Sequence, residues 1–255
     1  MSAGVTRPGV TIAGVRVDAL DEREALGRIE AMVAEGRPHM MAVVNASKLV
    51  LASEDARLAE VLRRADLVTA DGMSVVWGAR ALGARLPGRV TGIDTMERVV
   101  ALAAERGWRV FFLGAKQEAV EGAVANLRRA HPRLVVAGLR DGYFAGRERE
   151  VVAEVRAARP DVLFVAMGSP AQELFLAEHL GELGASFALG VGGSFDHVAG
   201  HVRRAPRWMQ RAGLEWLHRF ALEPRRLWRR YLFGNARFAL LLLRERQGRP
   251  RSGRM

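Results

Sequence analysis

The sequence predicts an α/β protein built on a mostly parallel sheet with helices on both faces, followed by a helical, basic C-terminal appendage. Three observations predict it. Short apolar runs rich in β-branched and aromatic residues recur along residues 1–200, and stretches with helical spacing lie between them. The charge is segregated: residues 201–255 hold fifteen Arg, no Lys and three Glu, a net +12, so the +11 of the 255-residue chain leaves −1 for residues 1–200.

In chain order, residues 11–17 (TIAGVRV) read as the first strand and 22–34 as the first helix. Residues 40–44 (MMAVV) are a continuous apolar strand, followed by one long helix over 46–64. A short strand at 67–69 precedes helices over 74–82 and 95–106. Strand 109–113 (RVFFL), helix 118–129, strand 134–137, helix 147–159, strand 162–166 (VLFVA), helix 172–183 and strand 187–191 (FALGV) complete the body. Continuous apolar strands alternating with helices are the pattern of a sheet covered on both sides, in a Rossmann-like arrangement. No internal repeat interrupts it. The one boundary is compositional, near 196–204, which divides the chain into a body (1–200), an appendage (201–246) and a disordered tail (247–255).

Composition narrows the chemistry. With 49% hydrophobic and 26% charged residues the chain has a core's worth of apolar material, so disorder is excluded as its main state. The absence of cysteine removes disulfides, thiolate metal sites and cysteine nucleophiles, and fits a reducing compartment. The first twenty residues show no secretory signal. Residues 18–21 (DALD) follow the first strand where a dinucleotide site would need Gly-x-Gly-x-x-Gly, and no Walker motif occurs. There is no Asp-x-Asp, and the six histidines show no metal-ligand pairing. A reaction without metal or other cofactor is expected.

In open parallel sheets, ligands bind beyond the carboxyl ends of the strands. The residues there are Asn45, Asp71-Gly72, Gly114, Asp141-Gly142-Tyr143, Gly168-Ser169-Pro170 and Gly190-Val191-Gly192-Gly193. Glycines let backbone N–H groups approach an anion, and helix N-termini add partial positive charge, so this edge suits phosphate and sugar. Each residue taken singly also serves as a turn or a helix cap.

The appendage carries Trp208, Trp216 and Trp228 among its arginines. From Leu227 onward Leu227, Tyr231, Leu232, Phe238, Leu241 and Leu242 alternate with Arg226, Arg229, Arg230, Arg237 and Arg244, the pattern of an amphipathic helix on an anionic membrane surface. No run reaches the ~18–20 apolar residues of a spanning helix. Nucleic acid is the competing anion, but the tail has no zinc-finger, RNA-recognition or helix-turn-helix signature, and no nucleic-acid partner is expected. The apolar face of the tail predicts a homo-oligomer in soluble preparations.

Nine blocks in register resemble the WecG/TagA/CpsF family, glycosyltransferase family twenty-six. They are residues 65–77 (ADLVTADGMSVVW), 89–94 (RVTGID), 111–114 (FFLG), 141–144 (DGYF), 168–173 (GSPAQE), 190–196 (GVGGSFD), 204–206 (RAP), 213–217 (GLEWL) and 223–226 (EPRR). The resemblance implies an inverting, metal-independent transfer of a sugar, N-acetylmannosamine in the best-known members, from a UDP donor to polyprenyl-diphosphate-linked N-acetylglucosamine. That places the chain in surface-polysaccharide or teichoic-acid-linkage synthesis, in the cytoplasm and peripheral on the inner face of the bacterial membrane. A donor such as UDP-glucose for an exopolysaccharide is the alternative within the same chemistry; a basic nucleic-acid-binding protein is the alternative outside it.

The resemblance also assigns roles. Asp71 is the base that takes the acceptor's hydroxyl proton, a role in competition with capping the helix near Met73. Asn45 is the sugar-contacting asparagine. Arg89 meets the leaving diphosphate; Asp94 orients it, binds the donor or caps a helix. Tyr143 packs on the uracil ring, and Gln172 and Asp196 contact the donor. Arginines matching Arg219, Arg226 and Arg229 are linked to activity in the family; they serve either a diphosphate brought over the rim when the appendage docks on a membrane, or anionic lipid headgroups alone. Two departures stand out: Val43 replaces a threonine of many members, and Ala171 replaces the lysine of Pro-Lys-Gln-Glu. Both bear on the donor sugar more than on glycosyl transfer.

Overall fold

The computed structural model describes residues 8–206, 208–209, 213, 215–222 and 224–248. It opens on a hairpin of β1 (Gly9–Ile12) and β2 (Val15–Asp18), where the sequence pattern gives one strand. The turn explains the difference: Ala13 and Gly14 both adopt positive φ (55° and 69°), the backbone of a two-residue hairpin turn, and across it the buried alternation shifts by one residue, from Val10 and Ile12 to Val15 and Val17. Buried Asp18 fastens the hairpin to the sheet by accepting the Val68 N–H at 2.9 Å.

Helix α1 (Glu22–Glu35) starts from a capping box in which Asp21 and Glu24 accept each other's backbone N–H. Strand β3 (His39–Val44) follows, buried at every residue. The long helix expected over 46–64 is two: α2 (Ala46–Glu54) and α3 (Ala56–Arg64). Asp55 divides them, extended at φ −119° and ψ 104°, its carboxylate accepting from Arg57 and Leu58 N–H. Next come β4 (Leu67–Ala70), α4 (Met73–Ala81), α5 (Gly92–Arg106), β5 (Arg109–Gly114), α6 (Gln117–Ala130), β6 (Val135–Arg140) and α7 (Glu148–Ala158). Strand β7 (Val162–Ala166), α8 (Ala171–Leu183), β8 (Phe187–Gly190) and the short α9 (Ser194–Val198) end the body.

The six strands β3–β8 form one sheet in the order β4-β3-β8-β7-β5-β6, every pairing parallel. Successive side chains go to opposite faces. Phe112 and Phe164 pack with Ile29 of α1, Val100 of α5 and Val120 of α6. Their neighbours Phe111 and Leu163 pack with Val155 of α7 and Leu176 of α8 on the other side. The expected two-sided α/β architecture is present, and all six carboxyl ends share one edge.

Beyond the body lie α10 (Glu215–Leu222) and α11 (Pro224–Gly248). Helix α11 rests on α2 and α4. Phe238 is buried, Leu241 and Leu242 join the core beside it, and Phe238 and Leu242 lie 3.1 Å from where a Cβ on Gly78 would stand. Glu245 Oε1 accepts the Ala13 N–H at 2.5 Å, and Arg237 pairs with Glu54 at 3.3 Å. Phe238, Leu241 and Leu242, expected on a membrane face from the amphipathic spacing, pack instead against the body. Leu240 and Leu243 are about half exposed, and Trp208 and Trp216 are exposed as well. No helix among the described residues is long and apolar enough to cross a membrane.

Candidate active site

The register of β3 on β4 pairs Val44 with Ala70, so the next residues along, Asn45 and Asp71, emerge side by side at the carboxyl edge. Their neighbourhood is tight: a Cβ on Gly72 would lie 3.8 Å from Asn45 Cβ. Asn45 caps α2, its Oδ1 accepting the Lys48 N–H at 3.0 Å. Asp71 donates its N–H to the Val44 carbonyl at 2.8 Å and accepts the Gly92 N–H on Oδ1 at 3.0 Å. It therefore braces the first residue of α5. It does not cap α4, whose N-cap, Gly72, makes no side-chain bond. Asp71 Oδ2 has no partner among the described residues, and the side chain is half-buried.

The segment before α5 runs along β4: Val90 N–H donates to the Ala70 carbonyl, and Thr69 Oγ1 donates to the Val90 carbonyl. This carries Arg89 to the rim. Gly92 is where the helix start presses on the sheet, since a Cβ there would lie 3.3 Å from Val43 Cγ2. The position of the first family departure thus faces the helix that Asp71 braces.

Asp94 and Arg89 do not pair with each other. Arg204 grips Asp94 with both terminal nitrogens, at 2.6 and 2.9 Å, while Thr91 Oγ1 donates to Asp94 Oδ2 and accepts the Asp94 N–H. Arg89 Nη1 instead donates to Glu215 Oε2 at 2.7 Å, and Glu215 Oε1 accepts from Arg204 Nε at 3.4 Å. Burial alone would raise the Asp94 pKa. The Arg204 and Thr91 hydrogen bonds, with the charges of Arg204 and Arg89, outweigh it and hold the carboxyl below its ordinary value. For Arg204, burial would lower the pKa, and the bonds and charge of Asp94, with the charges of Glu215 and Glu97, reverse that.

A second buried cluster supports the same edge from below. Lys48 Nζ donates to Glu173 Oε1 at 2.6 Å, with both side chains buried. Gln172, also buried, donates from Nε2 to Glu173 Oε1 and accepts the Gly192 N–H on Oε1 at 3.0 Å, tying α8 to the glycine loop after β8. Gly190 leaves room for it, as a Cβ there would lie 2.5 Å from Gln172 Nε2. Gln172 thus reaches the rim through the loop that it holds.

Asn45, Asp71, Arg89 and Asp94 are brought together with the Gln172 loop beside them. Tyr143 is not with them. It follows β6, five strand spacings from β4, roughly 24 Å across the sheet, and is 69% exposed. Asp196 organises the exit from α9: its carbonyl accepts the His201 and Val202 N–H groups, turning the chain toward Arg204. Arg219 lies on α10, and Arg226 and Arg229 on α11; their side chains lie outside the described residues. Arg204, Glu215, Lys48 and Glu173 are the residues that the sequence analysis missed. Arg204, Glu215 and Glu173 stand inside family-like blocks, but ion pairs 110 to 126 residues apart leave no spacing to read. Among the described residues no group of three or more His, Cys, Asp or Glu could hold a metal ion.

A model of the glycosyl transferase WecG/TagA/CpsF family matches residues 10–252. The chain is 34% identical over 211 residues to the N-acetylglucosaminyldiphosphoundecaprenol N-acetyl-beta-D-mannosaminyltransferase of Bacillus subtilis (strain 168), spanning 82% of this chain and 81% of that one. It is 36% identical over 181 residues to the protein of the same name from Bacillus spizizenii, spanning 71% and 70%.

Proposed function

The chain belongs to the WecG/TagA/CpsF glycosyl transferase family, and from that membership we propose that it transfers N-acetylmannosamine from a UDP donor to polyprenyl-diphosphate-linked N-acetylglucosamine, with inversion and without a metal ion. The names of the two Bacillus relatives supply the transferred sugar and the lipid-linked acceptor. The observation that carries the reading to this chain is Asp71 at the carboxyl edge, with Oδ1 fixed by Gly92 and Oδ2 unpartnered among the described residues, beside Asn45.

In this reading Asp71 Oδ2 takes the proton of the acceptor hydroxyl as that oxygen forms its bond to the anomeric carbon. The bond from that carbon to the diphosphate breaks on the opposite face, and UDP leaves with the electron pair. Arg89 and the N-terminal end of α5 offset the charge that develops on the leaving group. Asn45 contacts the sugar through its amide. Gln172 sets the Gly190–Gly193 loop against the donor, Asp94 keeps the α5 start in place, and Asp196 and Tyr143 serve the donor's farther end. Arg219, Arg226 and Arg229 supply further cations to a diphosphate when the appendage meets an anionic bilayer. The enzyme then works as a peripheral protein on the cytoplasmic face, where its acceptor is embedded.

The test is UDP release from a panel of UDP-sugars, with and without a polyprenyl-diphosphate-N-acetylglucosamine analogue, in EDTA. Release that requires both UDP-N-acetylmannosamine and the acceptor, and persists in EDTA, is the expected result. Release from UDP-glucose instead moves the donor assignment and leaves the mechanism; dependence on an added divalent cation overturns the metal-free step.

A further inference from the structure

We infer that Glu215, the first residue of α10, is a positioning residue for Arg89, with Arg204 as its anchor; the inference rests on the reading above that Arg89 meets the donor diphosphate. Arg89 is in the connection between α4 and α5, not on a helix or strand that would aim it. Its long side chain has many rotamers, and an unrestrained guanidinium would reach a diphosphate in few of them. Glu215 selects one. Its Oε2 holds Arg89 Nη1 at 2.7 Å, and the two side chains are 18% and 12% exposed, so the pair is shielded from competing water.

Glu215 is itself held. Its other oxygen accepts from Arg204, whose two remaining nitrogens are committed to Asp94. Asp94 belongs to the first turn of α5, five residues beyond Arg89. The bonds therefore leave the body at Asp94, pass through Arg204 and Glu215, and return to it at Arg89. Two arginines and two carboxylates make this circuit neutral, so an arriving diphosphate meets Arg89 already oriented and needs only the donors that Glu215 leaves open. Arg204 and Glu215 thereby take a part in donor binding that does not depend on touching the donor.

The experiment is a titration of the full chain with UDP, comparing Arg89→Gln, Glu215→Gln and the double variant. Arg89→Gln should weaken UDP binding about tenfold, the loss of one charge-assisted contact, and Glu215→Gln by about half as many decades. In the double variant Glu215→Gln should add nothing, because its effect passes through Arg89. Glu215→Gln that leaves UDP affinity unchanged, or an equal loss with and without Arg89, overturns the inference. An Arg89→Gln variant that binds UDP normally overturns it differently, by removing Arg89 from the donor site. If Glu215→Gln does not fold, Arg204→Lys takes its place in the cycle. It keeps the charge, loses the two-pronged grip on Asp94, and must likewise weaken UDP only where Arg89 is present.

Discussion

Asp71 and Asp94 stand 23 positions apart and meet opposite demands. As the proposed base, Asp71 would need one oxygen fixed and the other open, and the Gly92 N–H fixes Oδ1. Asp71→Asn keeps an oxygen acceptor for that N–H and loses the base, so turnover should fall by roughly a hundredfold or more while the melting temperature stays close to the parent's. Loss of activity with a matching loss of fold would reduce Asp71 to a brace. Asp94 is locked by Arg204 and Thr91 with its pKa lowered. A depressed carboxyl contributes stability that is complete above its unfolded pKa, about 3.9, and is lost as pH falls through the folded value. Asp94→Asn should therefore melt below the parent at neutral pH, with the gap closing on acidification below about pH 4. A gap that is the same at neutral and strongly acid pH would mean that the Arg204 bond is not its cause.

Among the helices and strands, what was legible in the sequence depended on how local its cause is. The apolar runs of β3, β7 and β8 announced themselves because those strands are buried on every residue. The β1–β2 turn did not, because Ala13 looks like any strand residue until its φ is known. The α2–α3 break rests on one side chain, Asp55, whose capping bonds compete with the helix that the apolar spacing favours. At the candidate site, the strand-end rule points to Asn45 and Asp71, and neighbouring parallel strands deliver these two following residues together. The same rule also chose Tyr143 but said nothing of strand order, which puts it at the far edge. The α11 stripe was legible as amphipathic and silent about what it faces. Its contact with Gly78 can be tested: Gly78→Val would drive two methyl groups toward Phe238 and Leu242, at about 1–3 kcal/mol. Hydrogen exchange should then rise in α11 and at Ala13 more than in the β3–β8 sheet; uniform loss of protection would show that the helix is integral to the core.

For the protein as a single charged body, the separation of +12 from −1 predicts how it meets surfaces. Binding to vesicles containing anionic lipid should be strong at low salt and fall steeply as salt rises, with each engaged arginine contributing about 1 kcal/mol. Vesicles of neutral lipid should bind far less, and equal binding to both would give the exposed Trp208, Trp216, Leu240 and Leu243 the larger share. The packing of α11 on the body has a consequence for synthesis. Every element that it touches, from the hairpin turn at Ala13 to the α4 face at Gly78, leaves the ribosome before it does. A growing chain folds in that direction, so the groove between α2 and α4 is finished while its covering helix is still being made. During that interval the groove is an apolar binding surface in its own right, and a helper protein has a defined moment at which to guard it.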